Sequence, residues 1–86
     1  MKLKKEFITY NTDGKQIMVS ADTSIFSGLV RSNETAAYII DCLKEETDAE
    51  TIIDQMLKEY DAPREVISGD VYMVIEKLNS IGALDE

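Results

Sequence analysis

The spacing of the apolar residues changes near residue 33, and this change constrains the possible fold more than any other feature of the sequence. Before it, residues 7–10 and 16–19 are short segments rich in aromatic and β-branched side chains. After it, apolar residues recur every three or four positions. A period near 2 indicates strands, and a period near 3.6 indicates helices. The sequence therefore predicts strands followed by helices, in an α+β chain.

The first part of the chain has the pattern of an antiparallel sheet. Residues 7–10 and 16–19 flank a polar segment whose Asp13-Gly14 pair supplies the positive φ angles of a tight reversal, which predicts a β-hairpin. Residues 25–30 can form a third strand, in which Gly28 suggests a bulge or a close backbone approach. A sheet of three strands has two outer edges with unpaired main-chain groups.

The second part has the pattern of three helices. Asn33 is a suitable N-cap for the first helix, and Thr47 with Glu50 forms the pattern of a capping box before the second. Pro63 is favourable in the first turn of the third helix, and Gly82 is a typical terminator. The apolar residues predicted to be buried are Ala36, Ile39, Ile40 and Leu43 in the first helix, Ile52, Ile53, Met56, Leu57 and Tyr60 in the second, and Ile67, Val71, Val74, Leu78 and Ile81 in the third.

Length and composition limit the organisation of the chain. Its 86 residues suffice for one domain, residues 1–86, and 44% hydrophobic with 30% charged residues is a globular composition. No apolar run approaches the roughly 20 residues that span a bilayer, and no secretion signal is recognisable at the N-terminus. We therefore expect a cytoplasmic protein without membrane contact. The single cysteine, Cys42, is expected to be a structural residue in a helix.

The residue types present argue against catalysis and metal binding. The chain has no histidine, which excludes histidine-dependent nucleophilic triads and Cys/His metal sites. Its glycines are too scattered for a phosphate-binding loop, and the Asp-Gly pair lacks the further acidic ligands of a calcium loop. We expect no catalytic residue, no metal and no cofactor. The sequence is therefore most typical of a binding protein.

The net charge of −8 indicates which partners are favourable. The acidic excess lies after residue 31, whereas basic residues outnumber acidic ones before it. A surface of this sign repels phosphate backbones, so nucleic acid is not an expected partner. Basic peptides or proteins are better candidates.

An ordered series of short motifs resembles the PqqD family over roughly residues 7–84. The series comprises residues 32–37, with the sequence Ser-Asn-Glu-Thr-Ala-Ala, residues 60–65, with Tyr-Asp-Ala-Pro-Arg-Glu, the Asp70-Val71 pair, Leu78, and residues 82–84, with Gly-Ala-Leu. The order of these pieces is more specific than any one of them.

The resemblance implies a fold and a role. The fold would be winged-helix-like, with a three-stranded antiparallel sheet followed by three helices. Members of the family are non-catalytic recognition elements for ribosomally made, post-translationally modified peptides. The leader peptide adds as a strand against the third strand and packs against the third helix, and a radical S-adenosylmethionine enzyme or another peptide-modifying enzyme then modifies the precursor. The pyrroloquinoline quinone pathway itself is not implied.

Strand addition needs a free sheet edge and neighbouring pockets for side chains. The expected edge comprises Ile25, Phe26, Ser27, Gly28, Leu29, Val30 and Arg31, and alternation separates the odd-numbered from the even-numbered side chains without showing which set faces the helices. On the third helix the expected peptide-binding residues are Asp70, Met73 and Lys77, which share one border with Val66, together with Val74 of the adjacent buried stripe. The opposite border, with Tyr72, Ile75 and Asn79, is the alternative.

Individual residues on this surface admit two interpretations each. Met73 is either part of an adaptable peptide pocket or an ordinary, partly buried residue. Asp70 either pairs with a basic residue of the peptide or is simply exposed, and Arg31 either meets an acidic residue or is solvated.

Three other classes of protein remain alternatives. A winged-helix DNA-binding protein would share the topology, but the acidic helices disfavour it. A carrier protein would need an Asp-Ser pair at the start of a helix, whereas residues 22–24, Asp-Thr-Ser, precede a strand-like segment. A general protein-interaction module is the third alternative.

Overall fold

The computed structural model describes residues 1–12, 15–21 and 29–85 of the chain. Its elements are β1 (Lys2–Leu3), β2 (Phe7–Thr12), β3 (Lys15–Ser20), β4 (Leu29–Ser32), α1 (Glu34–Cys42), α2 (Ala49–Glu59), α3 (Arg64–Ser80) and β5 (Leu84–Asp85). The predicted α+β class, with three helices after an antiparallel sheet, is confirmed. The Asp13-Gly14 pair and residues 25–28 of the predicted third strand lie outside the described residues.

The main sheet has the order β2-β3-β4, and both pairings are antiparallel. The central strand β3 places Met18 opposite Thr9 on one side and Val30 on the other. Met18 is fully buried, so this residue marks the face of the sheet that lies against the helices. The described part of β4 continues to Ser32, beyond the predicted end of the third strand at Val30.

A second, two-stranded ribbon joins the ends of the described chain and was not predicted. Leu3 of β1 pairs with Leu84 of β5 in antiparallel register, and both side chains are buried. The N–H of Leu3 also donates to the carbonyl of Leu43 at 2.7 Å. Two-residue strands are too short to show a periodicity in sequence, so only their tertiary contacts reveal them.

The hydrophobic core combines the inner face of the sheet with all three helices. Helix α1 packs against β3, β4 and α3, and α2 packs against α3. Most of the predicted apolar face of each of the first two helices is confirmed, because Ile39, Ile40, Leu43, Ile52, Ile53 and Met56 are buried. Ala36, Leu57 and Tyr60 are half-buried instead. Within the part of the chain that the structure describes, no helix is long and apolar enough to cross a membrane.

The helix starts show one confirmed prediction and one correction. Asn33 is the N-cap of α1, and its Oδ1 accepts a hydrogen bond from the N–H of Ala36 at 2.8 Å. The N-cap of α2 is Asp48 rather than Thr47, because the helix begins at Ala49 and Asp48 Oδ1 accepts from the N–H of Thr51 at 2.8 Å. This bond lowers the pKa of Asp48. Its contribution to stability is therefore present above the unfolded-state pKa and is lost as the pH falls through the lowered folded-state pKa.

Gly82 ends α3, as predicted, and its conformation explains why. Its φ is 73°, in the left-handed region that favours glycine. The N–H of Gly82 donates to the carbonyl of Asn79 at 3.1 Å, and that of Ala83 donates to the carbonyl of Leu78 at 2.9 Å. These two bonds form a Schellman motif, which turns the chain into β5.

We expect alanine to have opposite effects at two glycines of this region. Gly82→Ala forces a side chain into the left-handed region and should lower the free energy of unfolding by about 1 to 2 kcal/mol. Gly69 lies in the exposed interior of α3, where an added Cβ meets nothing within 4 Å. Gly69→Ala should therefore raise stability by about 0.5 to 1 kcal/mol. Urea denaturation measures both, and shifts of the same sign would contradict this geometry.

Candidate functional site

Strand β4 forms one edge of the main sheet. On one side it pairs with β3 from Val19↔Leu29 to Gln16↔Ser32. On its other side no strand pairs with it among the described residues. In an antiparallel strand every second residue directs its N–H and C=O away from a given neighbour. The described part of β4 therefore offers free main-chain donors and acceptors.

The register of the hairpin indicates which groups of β3 point to which neighbour. Thr12 pairs directly with Lys15, and the residues that close a two-residue connection are expected to exchange main-chain hydrogen bonds. By alternation, the main-chain groups of Ile17 and Val19 are then directed towards β2. The main-chain groups of Gln16 and Met18 are then directed towards β4.

The same alternation extends to β4. Leu29 and Arg31 are opposite Val19 and Ile17, whereas Val30 is opposite Met18. We therefore expect the main-chain N–H of Val30 to bond to β3, and those of Leu29 and Arg31 to point away from the sheet. The side-chain roles predicted for these three residues, and the edge predicted for Ile25, Phe26, Ser27 and Gly28, stay predictions.

The predicted border of α3 lies at the surface. Met73 is 63% exposed and Val66 is 51% exposed, although both are large and apolar. Asp70 and Val74 are half-buried, and Lys77 is exposed. An α-helix turns by 100° per residue, so Val74 lies next to the buried stripe of α3 and Met73 lies furthest from it. This border is a partly apolar surface that no described element covers fully.

The buried stripe of α3 differs from the predicted one at three positions. Ile81, predicted to be buried, is half-buried and is the C-cap that follows the helix. Ile75 was placed on the opposite border, but it is only 8% exposed and belongs to the core. Val74 was placed in the core, but it is half-buried. The reason is that α3 packs against both α1 and α2, which moves its buried stripe towards Ile75. Ile75 therefore cannot contribute to a pocket on the opposite border, where Tyr72 is exposed.

A small cleft lies between α1 and α3, next to the end of β4. Its volume is about 90 Å³. Its lining residues are Asn33, the N-cap of α1, with Thr35, Ala36 and Ile39 from α1 and Asp70, Met73 and Val74 from α3. Asn33 follows Ser32, the last residue of β4, directly. The cleft therefore lies on the helix border and begins at the residue that follows the strand edge. A space of this size can receive the end of one side chain.

Four residues of the cleft were not among the predicted site residues. Asn33 was assigned as a helix cap, and Ala36 and Ile39 were assigned to the buried face of α1. The sequence signal that places them here is the direct passage from strand to helix at Asn33, which fixes the first turn of α1 beside the sheet edge. Their approach to α3 depends on tertiary packing. Lys77, although predicted, lies further along α3 and does not line the cleft.

The charges around the cleft are not balanced within the described structure. Asp70 has no hydrogen-bond or ion-pair partner among the residues that are described. Arg64 of the same helix is engaged elsewhere, by Glu50 at 2.6 Å and Asp54 at 3.0 Å. The cleft thus combines apolar walls with one unpaired carboxylate.

The described residues contain no group of three or more histidine, cysteine, aspartate or glutamate side chains able to hold a metal ion. Cys42, which is half-buried, donates from Sγ to Oε1 of Gln55 at 3.4 Å. Burial is the main cause that raises the pKa of its thiol, with a smaller contribution from Asp41. This favours the protonated, unreactive form.

The fold and the site together define a small α+β protein in which an open sheet edge meets a helical groove. The chain matches the family described as coenzyme PQQ synthesis protein D (PqqD) over residues 8–84, and it belongs to this family. The resemblance drawn from the short motifs is therefore confirmed. No curated protein matches the chain.

Two solved structures have a similar fold. The first is described as TbiB1 in complex with the TbiA(beta) leader peptide, with a TM-score of 0.83 and 19% identity over 99% of this chain and 95% of that one. The second is described as lasso peptide synthetase B1 complexed with the leader peptide, with a TM-score of 0.78 and 20% identity over 95% of this chain and 93% of that one. At these identities the similarity concerns the fold.

Proposed function

We propose that this protein binds the leader segment of a ribosomally made precursor peptide and presents it to a modifying enzyme, without catalysing a reaction itself. The observation that carries the proposal is the cleft between α1 and α3 at the end of the open edge of β4. Both structures of similar fold are described as complexes with leader peptides, which supports the same ligand class here.

Each part of the site has a separate task in this proposal. An extended peptide that pairs with β4 gains main-chain hydrogen bonds, each with a net contribution of about 0.5 to 1.5 kcal/mol. These bonds are available to any extended sequence, so they give affinity without selectivity. Selectivity comes from the α3 border, where Met73 offers a flexible apolar contact and Asp70 offers a charge.

The modifying enzyme is proposed only by class. A radical S-adenosylmethionine enzyme is the first candidate, and another peptide-modifying enzyme is the second. A precursor frame beside a gene for such an enzyme would support the first candidate directly. The expected cytoplasmic location follows from the same proposal, since precursor and enzyme would meet there.

The charge of the helices makes duplex DNA a poor alternative ligand. The net charge is −8, and on α3 Arg64 is already paired with two carboxylates. A protein that binds phosphates by counterion release needs free basic side chains at the interface. A gel-shift experiment at low salt should therefore show no tight duplex binding.

A displayed library of random linear peptides tests the proposal without knowledge of the natural precursor. Library members should be long enough to cover both β4 and the border of α3. We expect the protein to enrich a family of related peptides, and the tightest binder, once synthesised, is termed the selected peptide below. Failure to enrich any peptide over a protein-free control would contradict the proposed function.

We expect Met73→Lys to raise the Kd for the selected peptide roughly tenfold or more. Complete burial of a methionine side chain contributes about 1.5 to 3 kcal/mol, and each 1.4 kcal/mol changes Kd about tenfold. Tyr72→Lys is the matched control, because Tyr72 is 49% exposed but lies outside the cleft. Calorimetry on both variants measures Kd. Equal loss in the two variants would show that added charge, and not the border of Met73, determines the effect.

A further inference from the structure

The carboxylate of Asp70 lies in an unusual environment for an acidic residue of this protein. Asp70 is half-buried and lines the cleft together with Met73, Val74 and Ile39. The acidic residues of α2 in the described structure include Glu50 and Asp54, which are exposed and both held by Arg64. A carboxylate beside apolar walls is less well hydrated than an exposed one, so a cation that reaches it gains more than at an open surface.

No cation of the described structure fills this position. Towards the end of α3, Lys77 lies two helical turns away from Asp70 and makes no ion pair with it in the structure as described. Towards the start of the helix, Arg64 is engaged by its two carboxylates. Among the side chains that the structure describes, none places a positive charge at Asp70, so we consider a cation of the bound molecule.

The walls of the cleft indicate what kind of cation fits. Met73 and Val74 supply apolar surface along which methylene groups can lie. Thr35 adds a hydroxyl, and the amide N–H₂ of Asn33 remains available because only its Oδ1 is used for the helix cap. Lysine and arginine have this shape, with an apolar stem and a charged end, and they bury the stem while the end keeps polar contacts.

Resting on the function proposed above, we propose that the cleft is a subsite for a lysine or arginine side chain of the bound peptide, with Asp70 as its counter-ion. A purely apolar side chain would displace water from the Asp70 carboxylate without replacing the hydrogen bonds of that water, which is unfavourable. An acidic side chain would add repulsion to that loss. The cleft therefore selects a basic residue.

The position of the cleft also limits where this residue lies in the peptide. Asn33 and Thr35 directly follow the C-terminal end of β4. A peptide paired along β4 therefore reaches the cleft only at one end of its added strand. We expect the basic residue at an end of the strand-forming segment and not in its middle.

Three parallel library selections test the inference, with the wild type, Asp70→Asn and Asp70→Lys as targets. The wild type should enrich lysine or arginine at one fixed position, Asp70→Asn should lose this preference, and Asp70→Lys should favour aspartate or glutamate there. Peptides of the same composition from all three proteins would overturn the subsite but leave the proposed function standing. Failure of every target to enrich a peptide would contradict both.

A double-mutant cycle on the selected peptide gives the quantitative test. Asp70→Asn, and replacement of the peptide's basic residue by methionine, should each raise Kd about tenfold, and the two changes together should raise it little further. Glu76→Gln is the control, because it removes the same charge from an exposed position of α3 outside the cleft. Its Kd should match that of the wild type. Additive losses in the cycle, with no coupling between the two changes, would overturn the pairing.

Discussion

Proline at Leu29 is expected to remove most of the affinity for the selected peptide while the protein remains folded. The N–H of Leu29 is expected to point away from β3, so its loss breaks no hydrogen bond within the sheet. In the complex, however, a carbonyl of the added strand would lose its donor. A buried group without its partner costs about 1 to 3 kcal/mol, which corresponds to roughly a ten- to hundredfold rise in Kd.

The neighbouring position supplies the internal control for this experiment. The N–H of Val30 is expected to bond to β3, so Val30→Pro should lower the free energy of unfolding. Arg31→Pro should behave like Leu29→Pro, because alternation places both N–H groups on the outer side. Circular dichroism and urea denaturation separate the two kinds of effect. A folded Leu29→Pro protein with unchanged affinity would show that the peptide does not pair with this edge.

The other edge of the sheet supplies a second control. Strand β2 is also paired on one side only among the described strands. Asn11 of β2 is exposed and, by the same alternation, directs its N–H outward. Asn11→Pro should leave peptide affinity unchanged. A loss at Asn11 together with no loss at Leu29 would move the binding site to β2.

Two neighbouring residues of α3, Val74 and Ile75, are expected to separate stability from binding. Ile75 is 8% exposed in the core, and Ile75→Ala should lower the free energy of unfolding by about 2 to 5 kcal/mol. This is a large share of the roughly 5 to 15 kcal/mol typical of a folded domain. Val74→Ala should lower the free energy of unfolding less, because Val74 is half-buried. It should nevertheless weaken binding of the selected peptide, because Val74 lines the cleft.

Denaturation curves and calorimetry on the two variants measure both effects. Affinity for Ile75→Ala should be measured at a temperature where the variant is fully folded. The reverse result, with Val74→Ala the more destabilised and Ile75→Ala the weaker binder, would restore the stripe expected from sequence and contradict the packing seen here.

The sequence was sufficient for the order of the helices and for much of the core. The helical spacing of apolar residues alone predicts the burial of Ile39, Ile53 and Met56 correctly, because a helix that packs on one side buries one stripe. It failed at Val74 and Ile75, because α3 packs against two helices and the direction of its stripe depends on both. The cap of α2 was misplaced by one residue, since Thr47 and Asp48 are both suitable caps and only the helix start distinguishes them.

The candidate site shows the same division. Asp70 and Met73 could be selected from the helical pattern, because they border an apolar stripe, and the same pattern predicts Val74 within that stripe. Asn33 and Met73 are 40 residues apart in the sequence, however, and only the packing of α1 against α3 brings them to one cleft. The β1–β5 ribbon carried no usable pattern, because its strands have two residues each.

The central claim is that a foreign extended segment adds to β4 and not to β2. Hydrogen–deuterium exchange of the protein, with and without the selected peptide, tests it most directly. We expect the outward amides of β4 and the amides at the start of α1 to become protected on binding, while those of Phe7–Thr12 keep their exchange rates. New protection confined to β2, or bound peptide without new protection in Leu29–Ser32, would contradict the claim.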